Sequence, residues 1–166
     1  MKLKTGEKGF TLLELLVTIA IAVIVVGAAS MTIITIMRLT PRTNNWAIAL
    51  RQVQNAGYWI SRDVQMSEDI TVGTGSTFLT LIVPQISPPP KTIVYQFADM
   101  SDNLKRLMRD DAGQQIMIAE YISSPDTTAI YNSDNRTLIF TITATSGNVP
   151  VTRDYEAMQR VPAASP

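Results

Sequence analysis

Between Phe10 and Met37 the chain carries one ionisable side chain, Glu14, in an otherwise almost uninterrupted apolar run. A lone carboxylate in such surroundings is not a catalyst; its chemistry is to attract a cation or to accept hydrogen bonds. At the centre of a membrane-spanning helix it costs about 2.5–3.5 kcal/mol when unpaired, and less near an end. Near a helix N-terminus it also gains from the positive end of the helix dipole. The other candidate ligands are Asp99 with Asp102 and Asn103, Asp110 with Asp111, and Asp126 with Asp134. Calcium takes about six to eight oxygens, and none of these groups has the spacing of a calcium loop. Acidic residues in turns are ordinarily just solvated, so no metal site is assigned. Lys91, Lys105, Arg106 and Arg109 form a candidate basic strip for nucleic acid. Two of them alternate faces on one strand, and Asp110 and Asp111 offset their field. Nucleic acid is therefore not an expected partner. Gly73-Thr74-Gly75-Ser76 lacks the lysine and following helix of a phosphate-binding loop and reads as a turn.

The chain has 166 residues, with no cysteine and no histidine. Thiolate and imidazole zinc sites, and nucleophile–histidine dyads and triads, are excluded. Any water-facing domain must stand on its hydrophobic core without disulfides. No catalytic residue is assigned, and no cofactor is expected. The charge balances at 14 basic and 14 acidic residues. Lys2, Lys4 and Lys8 against Glu7 concentrate positive charge ahead of the apolar run.

The elements that must position Glu14 follow from length and periodicity. As a helix, Phe10 to Met37 reaches about 42 Å at about 1.5 Å per residue, against a hydrocarbon layer of about 30 Å. It is long enough to span a membrane. A secretory signal has an apolar run of only about 7–15 residues, so cleavage at Ala28-Ala29-Ser30 is not expected. Arg38 and Arg42 follow the span, so the lysines ahead of it favour a cytoplasmic N-terminus only slightly. Gly27 to Ser30 is a small-residue patch suited to close helix approach, or to local unwinding.

Met1-Lys-Leu-Lys-Thr-Gly-Glu-Lys-Gly9 followed by Phe10-Thr-Leu-Leu-Glu14 resembles the cleavage site of type IV prepilins and type II secretion pseudopilins. The resemblance is specific over about the first thirty residues. It implies that prepilin peptidase cuts after Gly9 on the cytoplasmic face and methylates the new amine of Phe10. Glu14 then becomes the fifth residue of the mature chain. Its implied role is to pair with the amine of a neighbouring, axially shifted helix, which offsets the burial cost of both charges.

Thr40-Pro41 predicts a kink or short break. Beyond it, Trp46, Leu50, Val53, Gly57, Ile60 and Val64 recur at steps of three and four, the stripe of an amphipathic helix over about 43–67. Arg51, Gln52, Asn55, Arg62 and Asp63 are assigned to its polar side, and Trp59 to the edge of the core. After Ile70 the period changes. Thr77–Val83, Thr92–Phe97, Leu104–Arg109, Ile116–Ile122 and Thr137–Thr143 read as strands, with a sixth over Thr152–Arg160. Turn formers separate them at Gly73–Ser76, Ser87–Pro90, Asp110–Gly113, Ser124–Asp126, Ser133–Asn135 and Ser146–Asn148, and Ala163–Pro166 reads as a loose tail.

The expected fold is α+β: a long N-terminal helix, half transmembrane and half amphipathic, on a mostly antiparallel sheet, as in pilins. The expected divisions are a leader at 1–9, a membrane and filament-core helix at 10–37, and a water-facing domain at 38–166. Ile60-Ser-Arg-Asp-Val64 and Leu104-Lys-Arg106 are similar to the minor pseudopilin J and minor pilin W types, whereas the ending Arg160-Val-Pro-Ala-Ala departs from them. The expected function is a structural, non-enzymatic filament subunit of a type IV pilus or type II secretion pseudopilus. Its expected partners are prepilin peptidase, other pilin subunits, inner-membrane assembly machinery and, before assembly, lipid. The expected location is the cytoplasmic membrane, single-pass with the N-terminus inside, and then an extracellular or periplasmic filament. The alternative is a membrane-anchored exported binding module with no filament role.

Overall fold

A computed structural model describes residues 10–85, 89–100 and 103–160. The leader with Gly9, part of the Ser87–Pro90 turn, Asp102 and the Ala163–Pro166 tail lie outside the described residues. The chain divides into two units, Met1–Arg42 and Thr43–Pro166. One helix, α1 (Leu12–Met66), is followed by β1 (Asp69–Val72), β2 (Thr77–Val83), β3 (Lys91–Asp99), β4 (Lys105–Asp111), β5 (Gln114–Ile122), β6 (Thr128–Asn132), β7 (Thr137–Ser146) and β8 (Val149–Met158). This is the expected α+β arrangement.

In the first unit every described residue from Phe10 onward is exposed, including Leu13, Ile21, Val26 and Ile36. Such a surface needs a solvent other than water. Helix α1 is long and apolar enough to cross a membrane. Its hydroxyls are satisfied internally: Thr18, Ser30, Thr32 and Thr35 each donate to the carbonyl four residues earlier, at 2.6–3.1 Å. That leaves no hydroxyl proton in need of water within the run. The expected break at Thr40-Pro41 is absent, because α1 continues through Pro41. Pro41 removes one helix hydrogen bond and leaves the rest of the ladder. The Thr40 hydroxyl donates to the Ile36 carbonyl at 2.9 Å in that same turn.

In the second unit, Ala49, Val53, Ala56, Gly57, Ile60, Asp63 and Val64 are the buried positions of α1. Trp46 and Leu50, assigned to the stripe by hydrophobicity, do not lead it: Trp46 is exposed and Leu50 half-buried. Small Ala49 and Ala56 are fully buried in the core instead. Asp63, assigned to the polar side, is 0% exposed. Trp59 is half-buried and packs at the edge of the core, as expected.

All strand pairs are antiparallel, in the order β1-β2-β3-β4-β5-β7-β6, with β8 on the other edge of β7. The β4–β5 link is two residues, Ala112-Gly113, with φ of 52° and 93°. Positive φ at both positions is the turn that matches strand twist. Asp110 and Asp111, expected in this turn, belong to β4 instead, and Asp110 accepts the Gly113 N–H at 2.7 Å. β5 pairs with β7 only at Ile122 and Ala144, and β6 then takes over the same edge from Thr128 and Thr141. The intervening turn is held by Thr143 N–H donating to the Thr127 hydroxyl, at 3.2 Å. This handover curls the sheet. Leu79, Leu81, Ile93, Tyr95, Leu107, Ile122, Leu138, Phe140 and Ile142 fill the core with the helix stripe.

Two strands were not expected. β1 has a single buried side chain, Ile70, and β6 has none fully buried. The strand expected over Thr152–Arg160 begins earlier and ends earlier, at Val149–Met158.

Candidate processing and assembly site

At the head of α1, Thr11 and Glu14 form a reciprocal pair. Thr11 N–H and its hydroxyl both donate to Glu14 Oε2, at 2.9 and 3.0 Å, and Glu14 N–H donates to Thr11 Oγ1 at 3.3 Å. A threonine three residues ahead of a glutamate is the capping-box spacing, and it satisfies helix donors that have no partner in the preceding turn. The Glu14 carboxylate is thus held against the Thr11 N–H, one residue after Phe10. Phe10 is 84% exposed. Gly9 lies outside the described residues.

The second constellation joins helix to sheet. Asp63 Oδ2 accepts from Tyr95 OH at 2.5 Å and from Arg109 Nε at 2.6 Å. Tyr95 and Arg109 are cross-strand neighbours on β3 and β4, so the register brings both to one point of the helix. Arg109 Nη1 reaches Asp111 Oδ2 at 2.9 Å, and Lys91 Nζ reaches Asp111 Oδ1 at 2.7 Å. Charges therefore alternate from the surface inward. Two guanidiniums stand over the Trp59 ring, Arg62 at 4.9 Å and Arg109 at 5.4 Å from its centroid. Burial alone would lower the Arg109 pKa, but its hydrogen bonds to Asp63 and Asp111 outweigh this and raise it. Burial and the Asp63 charge push the Tyr95 phenol upward. This network is a lock between helix and sheet with a satisfied cation; the second Asp63 oxygen, Oδ1, is buried without a hydrogen-bond partner, and Arg62 Nε stands 4.0 Å from it.

Two further contacts fix the helix on the sheet. Asn55 donates to the Ile118 carbonyl, and Gln52 accepts the Glu120 N–H at 3.0 Å. Both backbone groups lie at the register shift of β5, where strand pairing is irregular. At Gly57 a Cβ would stand 2.2 Å from Tyr155 Cζ. The missing side chain lets that ring stack on Phe140, at 5.1 Å and 16°, and its hydroxyl donate to the Val53 carbonyl at 3.0 Å.

The four cations of the candidate basic strip all have carboxylate partners: Lys91 with Asp111, Lys105 with Asp99, Arg106 with Glu120, and Arg109 with Asp63 and Asp111. Among the described residues no three acidic groups come together as a metal cluster. The Asp63 lock was missed in the sequence. Its signal was present in the spacing, since Ala49, Val53, Ala56, Ile60, Asp63 and Ser67 alternate steps of four and three along one face.

Residues 4–30 match the family described as the prokaryotic N-terminal methylation motif. The match spans Lys4 and Lys8, the Gly9–Phe10 bond, Glu14 and most of the apolar run, and it supports a likeness to the type IV prepilin and pseudopilin family over these residues. No curated protein and no solved structure matches it.

Proposed function

We propose that this chain is a type IV prepilin or pseudopilin precursor. Prepilin peptidase removes residues 1–9 by cutting between Gly9 and Phe10, and the new Phe10 amine is methylated. The mature chain waits in the cytoplasmic membrane as a single-pass protein with its N-terminus inside. Its arm then leaves lipid for a bundle of sister arms in a periplasmic or extracellular filament. Helix packing, not water exclusion, supplies the attraction between arms, because lipid is as apolar as they are.

One coincidence carries the reading: the start of the helix falls within the methylation motif, with the Glu14 carboxylate turned back onto the Thr11 N–H. Cleavage would create an α-amine one residue from the N–H that already donates to that carboxylate. A buried amine on a neighbouring arm and the Glu14 carboxylate would relieve each other of a burial cost that neither could bear alone. The role is structural and not catalytic. Inner-membrane assembly machinery and other pilin subunits are its partners. The minor subunit type rests on Ile60–Val64 and Leu104–Arg106, which are similar to the minor pseudopilin J and minor pilin W types.

Mass spectrometry of the native N-terminus tests the reading. The expected chain begins at Phe10 with a methyl group on its amine, and Gly9→Leu retains the leader. A native chain that keeps Met1, or one that lacks the apolar segment, overturns it. Glu14→Ala is expected to leave membrane insertion intact while filament incorporation falls.

A further inference from the structure

Arg38 and Arg42 have no task in the function proposed above. If the N-terminus is cytoplasmic, both lie on the translocated side, where basic residues are disfavoured as topology signals. Helix α1 carries no acidic residue between Glu14 and Asp63. Among the described residues neither arginine forms an ion pair, whereas Lys91, Lys105, Arg106 and Arg109 all do. Both are exposed.

We propose that Arg38 and Arg42 bind the phosphate of anionic phospholipid headgroups on the outer face of the membrane. This rests on the membrane-spanning reading of the arm. Glu14 and Arg38 are about 36 Å apart along the helix at about 1.5 Å per residue, a little more than a hydrocarbon layer of about 30 Å. With Glu14 at one polar boundary, Arg38 reaches the other, and Arg42 lies one turn further into the headgroup layer. Residues four apart share a helix face with Cβ atoms about 5–6 Å apart. Two guanidinium forks on one face suit the oxygens of a phosphate, which each can hold bidentately. Their aliphatic stems can lie along the last apolar turn while the heads reach the phosphate layer. The pair sets the depth of the arm and adds to the work of pulling it from the bilayer. A basic residue at an anionic surface contributes about a fivefold preference, equivalent to about 1 kcal/mol.

The test uses the full precursor in vesicles of phosphatidylcholine, measuring association of spin-labelled phosphatidylglycerol relative to spin-labelled phosphatidylcholine. The leader lysines are common to all variants, so differences report the substituted positions. Replacing both arginines, Arg38→Gln with Arg42→Gln, is expected to lower the selectivity by at least about fivefold. Arg38→Lys with Arg42→Lys retains most of it. Arg51→Gln, an exposed arginine of the sheet-packed unit, changes nothing. Unchanged selectivity in the double glutamine variant overturns the assignment. So does an equal loss in Arg51→Gln, which would mean a diffuse charge effect, or displacement of the lipid by inorganic phosphate, which would mean a free-anion site. With Trp46→Phe as the common background, unaltered Trp59 emission in each variant shows that the sheet-packed unit is intact. Resistance to alkaline extraction reports insertion separately. A failure of leader processing or of filament assembly leaves the lipid measurement untouched, so the two readings fail independently.

Discussion

Replacing Asp63 by alanine strikes the group that joins α1 to the sheet. Asp63 and Tyr95 are 0% exposed and Arg109 is 5% exposed. The substitution leaves the Arg109 guanidinium with Asp111 as its remaining carboxylate partner, and it leaves the Tyr95 hydroxyl without its acceptor. Breaking one side of a buried ion pair costs about 3–5 kcal/mol. Retained Asp111 draws the figure toward the lower end, and the stranded phenol adds about 1–3 kcal/mol for an unsatisfied buried group. The expected loss is thus about 4–6 kcal/mol, a large part of a total stability of about 5–15 kcal/mol. Urea unfolding of the full chain in detergent micelles measures it. Trp59 emission is the probe, because its ring touches the Arg109 guanidinium, and the half-exposed Trp46 is replaced by phenylalanine as background. The double variant Asp63→Leu with Arg109→Met removes both charges together. It is expected to recover most of the loss, since apolar replacement of a whole buried pair is often neutral or stabilising. A loss below about 1 kcal/mol for Asp63→Ala refutes the lock on the magnitude just given. A double variant as unstable as the summed single variants refutes it too, because contacting groups must couple.

Gly57→Ala would ordinarily favour a helix by about 1 kcal/mol. Here its Cβ meets the Tyr155 ring, and overpacking costs about 1–3 kcal/mol, so urea unfolding should show net loss, and the same substitution made in a Tyr155→Ala background should cost nothing further. Tyr95, raised by burial and by Asp63, contributes stability that is full below the ordinary phenol pKa of about 10 and is lost as pH rises beyond it. Unfolding free energies from about pH 10 upward should fall by about 1.4 kcal/mol per pH unit from this group, a slope that Tyr95→Phe removes; equal slopes contradict the burial argument. Burial would raise the Asp111 pKa, but hydrogen bonds from Lys91 and Arg109 lower it below the ordinary value. Its contribution is present above the unfolded carboxylate pKa of about 3.9 and is lost as pH falls through the depressed value, so Asp111→Asn should flatten the acid limb of the stability curve.

The parts legible in the sequence are those whose signal is local. The arm announces itself by length and composition, and Thr11-x-x-Glu14 is readable as a cap from spacing alone. Long strands such as β2 and β7 carry β-branched runs bounded by turn formers. β1 and β6 escaped because β1 buries a single side chain and β6 points Ile130, 71% exposed, outward. Their strand state comes from the neighbour that pairs with them, which is a tertiary fact. Asp63 is the instructive miss. Polarity assigns it to solvent, but angular position puts it on the buried face, and only the β3–β4 register supplies the Tyr95 and Arg109 that make burial tolerable. A charged residue at a stripe position therefore implies partners elsewhere in the chain. Gly57 argues the same way from volume: within a helix it looks like a weakness, and the ring of Tyr155 shows it to be a socket. In both cases helix residues that break the local rule mark where the sheet is seated. The same reasoning applied to the arm turns Glu14 from a flaw in an apolar run into the group whose partner has to be sought, and a free amine at Phe10 is the cation that leader cleavage would create nearest to it.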